Sequence, residues 1–155
     1  MRANPLTMIG AVFVIFWLVA SITAPWIVPY DPYKQDILGR LAAPSAEHWF
    51  GTDQLGRDVF SRVLYGGRLS IQVGLVSVAL ASISGTIVGL VAGYYGRWID
   101  ALLMRTIDVM LSFPSILLAL AIVAVLGRSL SNVMLAIGIA TIPVYARIAR
   151  GSTLS

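Results

Sequence analysis

The chain has 155 residues, of which 58% are hydrophobic and only 12% charged, with a formal net charge of +4. A soluble domain carries charge on about a quarter of its residues, so this shortage excludes an ordinary soluble globule and points to a membrane protein. The positive charge is almost all arginine, placed singly between apolar runs with no basic block to follow a phosphate backbone, which argues against nucleic acid as a partner. There is no cysteine, hence no disulfide framework and no thiolate metal site.

An Asp, Lys or Arg at the bilayer centre costs about 2.5–3.5 kcal/mol, so spans are expected to run between charges. The first candidate covers residues 6–28, free of charge between Arg2 and Asp31. Its apolar run exceeds the roughly 7–15 residues of a secretory signal core. Cleavage after Ala24 would also put Ile22 where a small residue is wanted and Pro25 directly after the cut. The segment therefore reads as a retained anchor, closed at the headgroup level by Trp26 and Tyr30.

Residues 31–68 form a polar segment whose Pro and Gly content predicts extended loop as far as Gly51. Residues 57–65 then read as a short amphipathic helix. Val59, Phe60, Val63 and Leu64 fill one arc, and Arg57, Asp58, Ser61 and Arg62 fill the other. Asp58 and Arg62 stand at i,i+4 with the acid N-terminal, the favourable orientation for a pair. Gly66 and Gly67 are predicted to end this helix, leaving it flat on the membrane surface.

The second span covers residues 70–95, uncharged from Leu69 to Gly96 and closed by Tyr94, Tyr95 and Trp98. It carries small residues at every fourth position: Ser77, Ala81, Gly85, Gly89 and Gly93. Such a ridge lets another backbone approach closely, which matters in lipid because hydrophobicity alone drives little helix association there. Residues 97–108 read as a second surface helix. Trp98, Ile99, Leu102, Leu103, Thr106 and Ile107 share one face, and Arg97, Asp100, Arg105 and Asp108 the other.

From Val109 to Ala146 the only charge is Arg128. As one helix this stretch would be about 57 Å long against a core of about 30 Å, so it must fold back. Gly127, Arg128, Ser129, Ser131 and Asn132 supply the turn. The resulting spans are residues 109–126 and 133–146, the latter beginning nearer Leu130 and closed by Tyr145. Pro114 and Pro143 are predicted to kink these spans and so to border a pathway, although kinked helices are often benign. Ser112, Ser115 and Thr141 lie beside the kinks, where a hydroxyl either meets a polar solute or bonds back to its own helix. The expected fold is an all-α polytopic integral membrane protein with four transmembrane helices and two short amphipathic surface helices. Residues 1–30 hold the first span, 31–68 the polar loop and 69–155 the remaining spans.

Charge does not orient the chain. With the N-terminus cytoplasmic, the inner side holds Arg2, Arg97, Arg105, Arg147 and Arg150, and the outer side Lys34, Arg40, Arg57, Arg62, Arg68 and Arg128, a count slightly against the positive-inside rule. Nor does the sequence offer a catalytic set. His48, the single histidine, has no second ligand at metal-binding spacing and lies away from the spans. No ionisable residue stands mid-span, against a proton relay or ion-coupled carrier. The chain has no G-x-x-x-x-G-K-[ST] loop, so any ATP hydrolysis belongs to a separate polypeptide.

Three ordered runs carry a resemblance to a known family. The run HWFGTDQLGRDVFSRVLYGGR at 48–68 closely resembles the segment before the second span in the second permease subunit of dipeptide, oligopeptide and nickel ABC importers. The run GYYGRWIDALLMRTIDVMLSFP at 93–114 is similar to that family's link between spans two and three, and PVYARIAR at 143–150 resembles the approach to its cytoplasmic coupling loop. The resemblance implies a subunit of six transmembrane helices with both ends cytoplasmic, in the cytoplasmic membrane of a prokaryote. It implies a homologous second permease, two ATPase subunits using ATP and Mg, and an external solute-binding protein as partners. The chain itself would bind no cofactor and no metal. Arg147 and Arg150 would lead into a Glu-Ala-Ala-x-x-x-Gly coupling helix, expected shortly after Ser155 and followed by two more spans. On that expectation the 155 residues are an N-terminal part of the subunit and do not couple to ATP hydrolysis alone. A membrane scaffold or assembly protein, or a non-functional permease fragment, stays open as the alternative; an intramembrane enzyme is disfavoured by the missing nucleophile, base and metal ligands.

Overall fold

A computed structural model describes residues 5–154; Arg2 and Ser155 lie outside the described residues. The described residues form five helices and no strand: α1 (Pro5–Ile27), α2 (Val59–Tyr95), α3 (Arg97–Leu111), α4 (Ser115–Leu126) and α5 (Leu130–Leu154). Three of them, α1, α2 and α5, are long and apolar enough to cross a membrane, and a fourth crossing is reached if the bent pair α3 and α4 makes one span. The chain divides into two compact units, Met1–Gln72 and Val73–Ser155, with α2 contributing to both.

In the first unit, the apolar helix α1 is followed by a polar segment that is folded, not extended. Its centre is Thr52. Ala42 N–H donates to the Thr52 hydroxyl at 2.8 Å, Thr52 N–H donates to the Ala42 carbonyl at 3.1 Å, and Thr52 makes an isolated antiparallel bridge with Asp58. Gly56, at φ 72°, closes the turn where its α-carbon lies against the Asp36 backbone with no room for a Cβ.

The expected stop at Gly66 and Gly67 does not occur: α2 runs unbroken for 37 residues, about 55 Å, so the amphipathic segment is the first part of the same helix. A glycine inside a helix costs only about 1 kcal/mol relative to alanine, and flanking turns on both sides outvote it. Gly67 also has a packing reason, since a Cβ there would come within 2.6 Å of the Ser21 hydroxyl oxygen on α1. The expected Asp58–Arg62 pair is absent as well. Arg62 bonds instead to Asp53 at 3.0 Å, and Asp58 turns to His48 and to the first turn of α2.

In the second unit, α3 extends to Leu111, past the expected end, and breaks at residues 112–114 with a bend of 91° before α4. Pro114 therefore stands at the start of α4 and does not kink a continuous helix. Two local causes act together. Proline disfavours helical conformation in the residue before it, here Phe113. The Ser112 hydroxyl also donates to the Val109 carbonyl at 2.7 Å, tightening the last turn of α3. The helix after the break has 12 residues, about 18 Å, too short to cross the core by itself.

The α4–α5 turn is built by side chains. Asn132 donates its amide to the carbonyls of Leu126 at 2.7 Å and Gly127 at 3.1 Å, while the Ser129 hydroxyl accepts Asn132 N–H at 3.1 Å to cap α5. From there α5 continues through Pro143, which is fully buried.

Candidate functional site

The second unit is organised by the contact between α2 and α5. The buried face of α5 is mostly small: Met134, Ala136, Gly138, Ala140, Pro143 and Ala146. Against it stands the ridge of α2. The buried Ser77 hydroxyl donates to the Met134 carbonyl at 2.9 Å, and Ala81 is fully buried. A Cβ built at Gly85 would lie 2.7 Å from the Ile142 carbonyl oxygen. One at Gly89 would crowd the Ala146 carbonyl and the Arg150 nitrogen, and one at Gly93 would lie 2.7 Å from the Thr153 Cβ. The contact is reciprocal, because a Cβ at Gly138 would meet the Leu80 side chain and the Ser77 carbonyl. Five residues at fourfold spacing thus give one groove in which two backbones meet.

The residue numbers rise together along this contact, from Ser77 with Met134 to Gly93 with Thr153. The two helices therefore run parallel, and their C-terminal ends lie at one level. At that level two ion pairs tie α5 to α3. Arg150 donates to Asp100 through Nε at 2.5 Å and through a terminal nitrogen at 2.6 Å, a two-pronged geometry that fixes both direction and register. One turn nearer the N-terminus of α5, Arg147 donates to Asp108 at 2.7 Å. The sequence placed the two acids on one polar face and the two arginines at i,i+3, but which face meets which is a tertiary fact that one sequence does not carry.

Nearer the bend, α4 and α5 enclose a small cleft of about 110 Å³ lined by Ser115, Ile116, Ala119, Ile137, Ala140 and Thr141. The Thr141 hydroxyl donates to the Ile137 carbonyl at 2.7 Å, as the Ser112 hydroxyl does to Val109, so both serve their own helices. Ser115 and Pro114 are exposed.

In the first unit a second polar constellation was not foreseen. Asp53 accepts the N–H groups of Leu55 at 2.8 Å and Arg57 at 3.1 Å on one oxygen, and the side chains of Arg57 at 2.9 Å and Arg62 at 3.0 Å on the other. Burial alone would raise its pKa, but the Arg57 hydrogen bonds, the Leu55 N–H and the Arg57 charge outweigh burial and lower it to about 2. Asp58, directly before α2, is buried and accepts Ser61 N–H at 2.7 Å, with His48 Nδ1 at 3.0 Å and the Tyr30 ring tilted against the imidazole. Burial again raises and loses: hydrogen bonds from Ser61 and the His48 contact hold this carboxyl below its ordinary value. A carboxylate directly before the first helical turn is a legible capping signal, but the His48 partner ten residues back is not.

The second unit and the anchor together define a polytopic helical membrane protein held by small-residue packing, with a charged clasp at one end. Residues 1–44 match the N-terminal transmembrane domain of oligopeptide transport permease C, and residues 85–155 match the binding-protein-dependent transport system inner membrane component. Together these two matches cover most of the chain, and both describe membrane components of transport-system permeases. It is 48% identical over its full length to a dipeptide transport system permease protein of Alkalihalophilus pseudofirmus, covering 51% of that relative. It is 49% identical over 99% of its length to a probable D,D-dipeptide transport system permease protein of Escherichia coli, covering 52% of it. A glutathione transport system permease protein of Escherichia coli is 48% identical over 99% of the chain and 51% of the relative. The chain spans about half the length of the curated relatives it matches.

The α3–α5 clasp has a direct test. Arg150→Asp is expected to place two acids together and lower the thermal midpoint of the detergent-solubilised protein, and the double variant Asp100→Arg with Arg150→Asp to recover most of the loss. A double variant as unstable as the single one would show that the pair does not hold the helices.

Proposed function

We propose that this chain forms part of the membrane-spanning pathway of an ATP-driven importer for short peptides or peptide-like solutes. The observation that carries the proposal is the match along the whole chain to permeases named for dipeptide, D,D-dipeptide and glutathione transport. Its partners would be a homologous second permease, two ATPase subunits that use ATP and Mg, and an external solute-binding protein. The chain would contribute no catalytic group of its own. Four crossings are proposed, with α4 and the bend before it making one broken span. Their support is the parallel run of α2 and α5: if both cross in one direction, the chain between them must return. On the family resemblance the N-terminus would lie in the cytoplasm and the Asp53 segment outside.

The α2–α5 ridge would then transmit force. A clasp that fixes α5 to α3 at the inner end lets a push there move α5 as a rigid rod against α2. Ser115 and Thr141 line the cleft that α4 and α5 form after the 91° bend, and with Pro114 and Pro143 they are the proposed flank of the pathway. The test is uptake by proteoliposomes holding the protein with its permease, ATPase and binding-protein partners. ATP-dependent accumulation of a labelled dipeptide or glutathione is expected. An assembled complex that hydrolyses ATP yet accumulates neither would sink the peptide reading.

A further inference from the structure

The first unit contains a cleft of about 300 Å³ between α1 and the start of α2, lined by Ser21, Ile22, Pro25, Trp26, Arg68 and Ile71. Its walls are apolar except at two points. Arg68 is the last charge before the uncharged run of α2, which puts it at the depth of lipid headgroups. Among the described residues it makes no ion pair, whereas Arg57, Arg62, Arg147 and Arg150 each have an acid. The second polar point is Ser21. It is 1% exposed, and its hydroxyl is the buried side-chain oxygen without a hydrogen-bond partner among the described residues. Unmatched buried hydroxyls are uncommon, since each forfeits a hydrogen bond to water. Trp26 is 80% exposed beside them, at the end of α1, where an indole ring suits the interface between headgroups and chains.

We propose that this cleft is a binding site for one phospholipid of anionic headgroup. An apolar groove with a single unpaired cation at its polar end matches an amphiphile with one negative group. Arg68 would engage the phosphodiester, the walls formed by Ile22, Pro25 and Ile71 would take the start of an acyl chain, and the Ser21 hydroxyl would donate to a phosphate or ester oxygen. A soluble anion would leave the apolar walls wet, and a purely apolar helix would leave Arg68 without a counter-charge. The lipid would brace α1 against α2 where Gly67 lets the helices approach.

The test is native mass spectrometry of the detergent-purified protein titrated with phosphatidylglycerol, with phosphatidylethanolamine and with inorganic phosphate. One bound phosphatidylglycerol per chain is expected, preferred over phosphatidylethanolamine. Arg68→Gln should weaken it about fivefold, the effect of roughly 1 kcal/mol per basic residue near an anionic surface. Arg68→Lys should retain most of the binding, and Arg128→Gln, at the exposed α4–α5 turn, should leave it unchanged. Equal losses for Arg68→Gln and Arg128→Gln would mean diffuse surface charge and overturn the site. Displacement of the lipid by inorganic phosphate would overturn the lipid in favour of a free anion, and no loss in Arg68→Gln would overturn both.

Discussion

Gly89→Leu is expected to cost about 3 kcal/mol or more and to prevent stable packing of α2 on α5. The atoms that a side chain would strike are the Ala146 carbonyl, the Ala149 Cβ at 2.7 Å and the Arg150 nitrogen at 2.8 Å. Two of these are backbone, and a helical backbone cannot turn aside as a side chain does. To admit leucine the helices must separate. That would also lengthen the Ser77 hydroxyl bond to Met134 and open the contacts of Gly85 and Gly93. In lipid nothing replaces them, because acyl chains compete equally well for apolar surface. Gly74→Ala supplies the control. It lies in the same helix with nothing within 4 Å of a built Cβ, so its helix propensity should leave stability unchanged or raise it by up to about 1 kcal/mol. The comparison is read from thermal midpoints in detergent. Equal midpoints for the two variants would show that the ridge does not carry the packing.

The small-residue ridge also shows how far one sequence reaches. A period of four marks a face, the charge-free run marks the extent of α1 through the cost of burying charge in lipid, and the turn residues from Gly127 to Asn132 put the start of α5 near Leu130. Identity of the neighbour was beyond such a reading: the ridge fitted a helix of this chain or of a partner equally well. Gly66 and Gly67 predict a local stop, but glycine at 67 serves the approach of Ser21. A proline inside an apolar run predicts a kink, but with Phe113 pushed out of helical conformation and Ser112 closing the turn, the helix ends and restarts at 91°. The polar segment is loop as far as Gly51, as expected, but its order comes from side-chain bonds to Thr52 and Asp53, which leave no periodicity to detect.

That segment supplies the other large effect. Asp58→Ala is expected to destabilise the first unit by about 2–3 kcal/mol, adding the loss of a helix cap to the exposure of a buried donor without a partner. The Ser61 N–H would lose its acceptor and His48 its counterpart, while the backbone bridge between Thr52 and Asp58 would remain. Asp58→Asn keeps an acceptor oxygen for Ser61 and should lose much less. Trypsin offers a local readout, since Lys34 and Arg40 lie in the same segment. Cleavage there should accelerate in Asp58→Ala and little in Asp58→Asn, and equal rates in all three proteins would refute the anchoring role. The same carboxylates set an acid limit. Both have folded pKa values below the ordinary 3.8, Asp53 at about 2, so each contributes stability that is fully present above the unfolded value. That contribution is lost as pH falls through the folded one. Protection of the segment that holds Lys34 and Arg40 should therefore persist at neutral pH and decay between about pH 4 and pH 2, read as new cuts anywhere in it during a brief acid pulse with an acid-active protease. In Asp58→Ala the decay should begin from a lower plateau but keep the Asp53 step, because the Arg57 and Arg62 bonds to Asp53 do not pass through Asp58.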